Sequence, residues 1–169
     1  MDESGTNPGI ERHEAVVIGA GPAGLAAAAT LQGEGVEAVV LERESVGSSW
    51  RKHYDRLHLH TVRWLSDLPG LPIDRGEGRW VSRDGVVRYL EQYARHHSLD
   101  VRTGVEVLSV ARADGGAWRL TTSDGPDLQA DVVVVATGFN HEPFVPDVPG
   151  RDTFTGEQVH SAHYCNALP

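Results

Sequence analysis

Three glycines and one acid near the N-terminus have the spacing of a nucleotide-binding site: Gly19, Gly21, Gly24 and Glu42. In a G-x-G-x-x-G pattern the first glycine permits a tight turn, the second lets a pyrophosphate approach the backbone, and the third lets a helix pack closely on a strand. Glu42 follows about 20 residues later, where a carboxylate accepts hydrogen bonds from an adenosine ribose. A carboxylate there repels a 2′-phosphate, so the pattern predicts FAD or NAD rather than NADP.

That chemistry requires a strand, a helix and a second strand in a fixed order. The apolar run at residues 15–18 predicts the first strand, and the alanine-rich residues 23–31 predict a helix that begins near Pro22. Residues 36–41 form a nearly continuous apolar run, which is typical of a strand in a parallel sheet covered on both faces. The strand, helix, second strand and acid of a dinucleotide-binding unit therefore follow one another in the expected order and spacing.

The rest of the chain alternates helical and strand patterns. An amphipathic helix is predicted at residues 82–97, and strands at 104–111, 118–123 and 128–130 read as an antiparallel meander whose first link is a tight hairpin. Residues 131–136 predict another fully buried strand, which ends at Thr137 and Gly138. We therefore expect an α/β fold, a Rossmann-like domain with a parallel sheet plus a small antiparallel β-meander.

Residues 43–74 have no clear period and are rich in aromatic, histidine and arginine side chains. A long irregular segment inside a compact domain is usually functional or disordered. This one carries too many large apolar side chains for disorder, so we interpret it as a folded binding loop.

Composition and charge exclude several classes of protein. The chain has 169 residues, 40% hydrophobic and 23% charged, which predicts a globular domain with a core of its own. A net charge of −9 without a basic stripe argues against nucleic-acid binding. No apolar run approaches a membrane span of about 20 residues, and the acidic start is unlike a signal peptide. We expect a cytoplasmic protein without a membrane partner.

Taken together, several motifs resemble the flavin-containing monooxygenase family, especially its bacterial and plant-type branch with the indole-pyruvate monooxygenases. The resemblance runs from about Glu14 to the last residue. It is carried by the glycine pattern with Glu42-Arg43, Val46-Gly47-Ser48-Ser49-Trp50, Tyr54-Asp55-Arg56-Leu57-His58-Leu59-His60-Thr61, Ala136-Thr137-Gly138, and Phe154-x-Gly156-x-x-x-His160-Ser161-x-x-Tyr164.

The resemblance implies an enzyme with two dinucleotides, FAD on the first glycine motif and NADPH on a second that lies largely outside this chain. It implies that reduced flavin captures O₂ as a C4a-hydroperoxide and inserts one oxygen into a small organic substrate. Ser49 and Trp50 would border the flavin, His60 and Thr61 would lie near its reactive ring, and the Val107 backbone would meet the adenine. The implied cofactor-binding residues are Gly19, Gly21, Pro22, Ala23, Gly24, Glu42, Arg43, Ser49, Trp50, His60, Thr61, Val107, Ala136, Thr137 and Gly138.

Some positions depart from the family pattern. Ser48 replaces the usual second glycine before the tryptophan, and Tyr164-Cys165 replaces the Trp-Pro of the Baeyer–Villiger branch. Animal-type members carry Asn-Ser where this chain has His60-Thr61, so no catalytic residue is assigned.

No second G-x-G-x-x-G follows, so we interpret the chain as partial. We expect a mobile N-terminus at 1–12, an incomplete FAD-binding domain at 13–150, and at 151–169 a connection toward a missing NADPH-binding domain. The sheet is then expected to lack its last strand and leave an open apolar edge, and full turnover is not expected of this chain alone.

Two other functions share part of this pattern. A disulfide-reductase type of FAD protein has the same glycine motif, but it needs a dithiol and Cys165 is the only cysteine. A truncated, non-catalytic module that binds FAD or NAD is the remaining alternative. The pair His58-x-His60 is a poor metal site, because two ligands lack nearby acids or thiols, and we predict no metal.

Overall fold

A computed structural model describes residues 10–113, 115–139 and 143–167. These ranges contain a sheet of six strands in the order β3-β2-β1-β6-β5-β4. The strands are β1 Glu11–Ile18, β2 Ala38–Glu42, β3 Asp100–Thr103, β4 Val107–Arg112, β5 Trp118–Thr122 and β6 Leu128–Val135; the α-helices are α1 Pro22–Gly33, α2 Ser48–Arg51 and α3 Arg83–His96; four short 3-10 turns lie at Arg63–Leu65, Arg75–Glu77, Arg151–Thr153 and Ser161–His163.

Three of the five strand pairings in the sheet are parallel and two are antiparallel. Strand β1 is parallel to β2 and to β6, with Val16 opposite Val39 and Val133, and β2 is parallel to β3. Strands β4, β5 and β6 form an antiparallel meander. The predicted α/β fold with a parallel sheet and a small meander is confirmed.

Alternate residues of the central strands pack on opposite faces of the sheet. Val17 and Val40 contact the helices, where Leu25 of α1 and Leu90 and Tyr93 of α3 complete one cluster. On the other face Val16, Val39 and Leu41 pack with Leu120, Leu128 and Ala130 of the meander. Burying a large apolar side chain contributes about 1.5–3 kcal/mol, so these two layers hold the central strands in place.

Helix α3 fastens the irregular segment that precedes it. Ser82 caps the helix, because its Oγ accepts a hydrogen bond from the Gly85 N–H. The hydroxyls of Tyr89 and Tyr93 donate to the carbonyl oxygens of Leu71 and Pro69, each at 2.6 Å. The helix predicted at 82–97 is thus confirmed, and it holds the end of the 43–74 segment. That segment is irregular as expected, apart from the short helix α2 and the 3-10 turn at Arg63–Leu65.

The sixth strand differs from its prediction in length and burial. Residues 128–130 and 131–136 were predicted as two strands, but residues 128–135 form one, and Val132 and Val135 are 46% and 67% exposed. The prediction of full burial is wrong because β5 pairs only with residues 128–130. Within the described ranges no strand pairs with the far side of residues 131–135, which leaves an open apolar edge there.

Two further boundaries differ. Strand β1 begins at Glu11, so residues 11 and 12 belong to the sheet rather than to the expected mobile N-terminus, of which residues 1–9 lie outside the described ranges. Strand β3 was not predicted, since Asp100–Thr103 is short and has only one apolar residue, Val101. No helix in the described ranges is long and apolar enough to cross a membrane.

Candidate functional site

The three glycines of the motif occupy three different environments. Gly19 has φ of +106°, and a Cβ added to it would lie 2.6 Å from the Ala136 carbonyl oxygen. A Cβ on Gly24 would lie 1.9 Å from the Gly19 carbonyl oxygen. A Cβ on Gly21 would meet no heavy atom of the described chain within 4 Å. Packing therefore requires glycine at 19 and 24, whereas the surface over Gly21 is open.

Helix α1 begins at this open surface. Gly21 is its N-cap and offers no side-chain hydrogen bond, Pro22 takes the first helical position, and the first turn, which includes Ala23, carries no acidic side chain. The first N–H groups of a helix lack partners within it, and the macrodipole adds a partial positive charge there. An anion such as a pyrophosphate fits this end of the helix.

Glu42, at the end of β2, is tied to the same turn. It is only 8% exposed, and its Oε2 accepts a hydrogen bond of 2.8 Å from the Ala20 N–H. Its Oε1 accepts from the Glu44 N–H at 2.9 Å and from the Ser48 hydroxyl at 3.4 Å. A carboxylate has about four acceptor positions, so three donors leave one for a further hydroxyl, such as that of a ribose.

The end of β6 meets the glycine turn from the other side of β1. The Ala136 N–H donates to the Ile18 carbonyl oxygen at 2.9 Å, and its own carbonyl faces Gly19. Thr137 and Gly138 follow and are exposed. The structure thus brings Ala136-Thr137-Gly138, the glycine turn and Glu42 together at the carboxyl ends of three parallel strands, where ligands bind in open α/β sheets.

Helix α2 is attached to the glycine turn by Gly47, which was not among the predicted site residues. The Gly47 N–H donates to the Ala20 carbonyl oxygen at 3.1 Å, and Gly47 adopts φ of +69° to begin α2. Its place before Ser49 and Trp50 was the only signal in the sequence. Ser49 is exposed, Trp50 is half-buried against the core, and the predicted Arg43 is exposed nearby in sequence.

The start of the meander also reaches this edge. The Val105 N–H donates to the Glu42 carbonyl oxygen at 3.0 Å, which carries the chain past the end of β2 into β4. Val107, the first residue of β4, is half-buried and opposite Thr122. Val107, the predicted adenine contact, therefore follows two residues after the backbone bond to Glu42, the predicted ribose contact.

His60 and Thr61 lie in the irregular 43–74 segment, further along the chain than Ser49 and Trp50. Both are exposed, and neither makes a hydrogen bond to the glycine turn in the part of the chain that the structure describes. The Leu59 N–H donates to the Val81 carbonyl oxygen at 2.8 Å, and the Thr61 hydroxyl lies 2.7 Å from that of Ser66. These bonds fix the backbone beside both residues against the segment before α3.

In the described ranges, no group of three or more His, Cys, Asp or Glu side chains is arranged to hold a metal ion. His58 Nδ1 instead lies 3.0 Å from the Arg56 carbonyl oxygen.

Known proteins resemble this chain along most of its length. It is 45% identical over 165 residues to indole-3-pyruvate monooxygenase YUCCA1 of Oryza sativa subsp. japonica, a match that covers 93% of this chain and 41% of that protein. It is 34% identical to an uncharacterized oxidoreductase CzcO-like of Geobacillus kaustophilus, covering 90% of this chain and 44% of that protein. The chain therefore spans less than half the length of these relatives.

A solved structure has a similar fold. The flavin-containing monooxygenase from Stenotrophomonas maltophilia superposes with a TM-score of 0.84 and 34% identity, over 92% of this chain and 47% of that chain. A family model described as pyridine nucleotide-disulphide oxidoreductase matches residues 16–168. The chain belongs to this family and, within it, to the flavin-containing monooxygenases, whose N-terminal part it matches.

Proposed function

We propose that this chain is the FAD-binding part of an NADPH-dependent flavoprotein monooxygenase. The observation that carries the proposal is the contrast within the glycine motif. Gly19 and Gly24 are closed in by backbone atoms, whereas Gly21 stands open before an uncapped helix end. Packing does not explain glycine at position 21, because a Cβ there would contact no other atom of the described chain. The close approach of a ligand to the backbone does explain it.

Most parts of FAD would have a partner at this edge. The pyrophosphate fits the N-terminus of α1, the ribose fits the remaining acceptor position of Glu42, and the adenine fits the Val107 backbone. Thr137 and Gly138 follow β6 and would close over the cofactor. The flavin end of the cofactor would meet Ser49, Trp50, His60 and Thr61, with Arg43 beside the ribose.

The bound cofactor supplies electron transfer from NADPH to O₂ and the insertion of one oxygen atom into a small organic substrate. This chain's own residues hold and orient the dinucleotide and shield one side of it from water. The names of the relatives support this proposal, since the rice protein is an indole-3-pyruvate monooxygenase. NADPH would bind largely outside these 169 residues, and the location would be the cytoplasm. A dithiol reaction is not supported, because Cys165 is the sole cysteine of the sequence.

A single substitution tests the site. Gly21→Val should abolish FAD binding, because its side chain would occupy the space through which the pyrophosphate approaches. The fold should survive, since that space is empty and a poor N-cap costs about 1 kcal/mol. The measurement is a titration with FAD followed by flavin fluorescence, together with urea unfolding.

Gly33→Val is the matched control. Gly33 ends the same helix, and a Cβ there also meets no atom within 4 Å, so this variant should bind FAD as the unchanged chain does. FAD binding retained in Gly21→Val would show that the pyrophosphate does not sit at this turn. Equal loss in both variants would show that the effect is not specific to Gly21, and would remove this support for the site.

A further inference from the structure

One carboxylate joins two parts of the chain that lie 111 positions apart. Asp55 Oδ2 accepts a hydrogen bond of 2.8 Å from Asn166 Nδ2, and the Asp55 N–H donates one of 2.9 Å to the Cys165 carbonyl oxygen. The rings of Tyr54 and Tyr164 lie side by side, with centroids 6.3 Å apart. These three contacts seat residues 164–166 on residues 54–55.

The other carboxylate oxygen is held by the start of α3. Asp55 Oδ1 accepts a hydrogen bond of 2.9 Å from Arg83 Nη1, which also donates to the His53 carbonyl oxygen at 2.9 Å. Arg83 Nε donates to Asp84 Oδ1 at 2.8 Å, and the Arg83 backbone N–H donates to the Leu57 carbonyl oxygen at 2.8 Å. The Arg83 side chain is only 18% exposed, so it presents a fixed donor to Asp55.

The stretch that leads to residues 164–166, residues 151–163, contains hydrogen bonds that stay within it. Phe154 and Tyr164 are 60% and 41% exposed, and the hydrogen bond from Gln158 Nε2 to the Arg151 carbonyl oxygen stays within the segment. The same is true of the bond from the His163 N–H to the His160 carbonyl oxygen. Local bonds of this kind fix the shape of the segment, but they do not position it on the domain.

We propose that Asp55 is a positioning residue, whose carboxylate bridges Arg83 and Asn166 and thereby holds residues 164–166 against the stretch 53–61. That stretch carries His60 and Thr61. The three side chains, Asp55, Arg83 and Asn166, are called the Asp55 clamp below. Its closure sets the orientation of the flavin end of the site, while the glycine turn forms independently. The effect on flavin rests on the function proposed above, whereas the clamp itself does not.

The charge on Asp55 favours a closed clamp at neutral pH. The hydrogen bond from Asn166, followed by that from Arg83, lowers the pKa of the Asp55 carboxyl. The group therefore stays ionised, and it accepts from both donors at once.

The test is an exchange of the two partners on the 169-residue chain. Asn166→Asp sets two carboxylates against each other and should open the clamp, so that the Asp55 amide exchanges its hydrogen about tenfold faster. The double variant Asp55→Asn/Asn166→Asp restores one donor and one acceptor in exchanged places. Its exchange rate should return to within about twofold of the original. Gln158→Ala, which removes a hydrogen bond inside the same segment, should leave the rate unchanged.

Visible circular dichroism of bound flavin is the second measurement. The signal should change in Asn166→Asp and recover in the double variant, while FAD affinity changes by less than about threefold, because the glycine turn is untouched. An unchanged Asp55 exchange rate in Asn166→Asp, or a double variant no better than the single one, would overturn the clamp. If neither the unchanged chain nor any variant binds flavin, the proposed function is wrong. The hydrogen-exchange rates then still show whether the Asp55 clamp exists.

Discussion

Glu42 receives hydrogen bonds on both carboxylate oxygens, from the Ala20 N–H, the Glu44 N–H and the Ser48 hydroxyl. The residue that the glycine pattern assigns to a ribose thus also joins β2 to the glycine turn and to α2. The side chain is nearly buried. If its carboxylate were removed, water could not easily replace it as the acceptor for these donors. Glu42 is therefore expected to matter for stability before any nucleotide binds.

Glu42→Gln tests this structural role. It should lower the free energy of unfolding by about 1–3 kcal/mol, because the amide NH₂ cannot accept and would face a backbone donor. Urea unfolding without nucleotide measures the loss. The control is Glu44→Gln, an exposed residue paired with Lys52, which should cost about 0.5 kcal/mol or less. Equal losses in the two variants would contradict the role given to Glu42.

Some residue roles can be read from sequence and others cannot. The packing requirement at Gly19 and Gly24 follows from the spacing alone, because the turn and the helix it starts are local. The Asp55 clamp was not predicted, since Arg83 and Asn166 lie 28 and 111 positions from Asp55. No local pattern marks a carboxylate whose partners are brought together only by the fold.

An ion pair connects the edge strand β3 to β1. Arg102 of β3 reaches past β2 to Glu11 of β1, with Nη1 and Nη2 donating to the two carboxylate oxygens at 2.7 and 2.8 Å. The hydrogen bond from Arg102 lowers the pKa of Glu11 from its ordinary value. A two-pronged guanidinium contact of this kind holds an otherwise short edge strand in register.

The stability from this pair should depend on pH. A carboxyl whose pKa is lower in the folded chain contributes stability above its unfolded pKa and loses it as the pH falls through the folded pKa. Arg102→Met should therefore cost about 0.5–1 kcal/mol at neutral pH, a small value because both side chains are more than one-third exposed. The cost should shrink as the pH falls through the lowered pKa of Glu11, as urea unfolding at neutral pH and at a series of acid pH values would show.

Two comparisons sharpen the pH experiment. Arg102→Lys keeps the charge without the two-pronged geometry, so its loss at neutral pH should be smaller than that of Arg102→Met. A loss from Arg102→Met that is the same at neutral and acid pH would mean that the side chain acts through packing rather than through Glu11.

Strong local patterns account for the elements that were predicted. Helix α3 has a clear helical period, α1 is rich in alanine, and β1 and β2 are apolar runs beside glycine or capping signals. The bounds of all four agree with the predictions within a few residues. Strand β3 has no such signal, because Asp100 and Arg102 interrupt it and its pairing with β2 is set by the fold. For β6 the apolar run indicates a strand, but it does not show that β5 stops pairing after Ala130.

Across the whole molecule, the sheet order places the ends of β2, β1 and β6 side by side. Glu42, the glycine turn and Ala136 stand at those ends, and the covering helices and meander leave this edge accessible. The global arrangement was predictable because a β-α-β unit with a right-handed crossover has few alternatives. The exposure of Val132 and Val135 was not, since an apolar run does not reveal which element covers it.

The measurement that tests the central claim most directly is the visible absorption spectrum of the purified chain after equilibration with FAD and removal of unbound nucleotide. We predict a retained flavin band, release of FAD on denaturation, and no displacement by an equal concentration of NAD. The preference is expected because Ala136-Thr137-Gly138 and the 43–61 stretch offer surfaces for the flavin end in addition to the dinucleotide turn. A colourless chain that cannot be loaded with FAD, or one that binds NAD more tightly, would contradict the account.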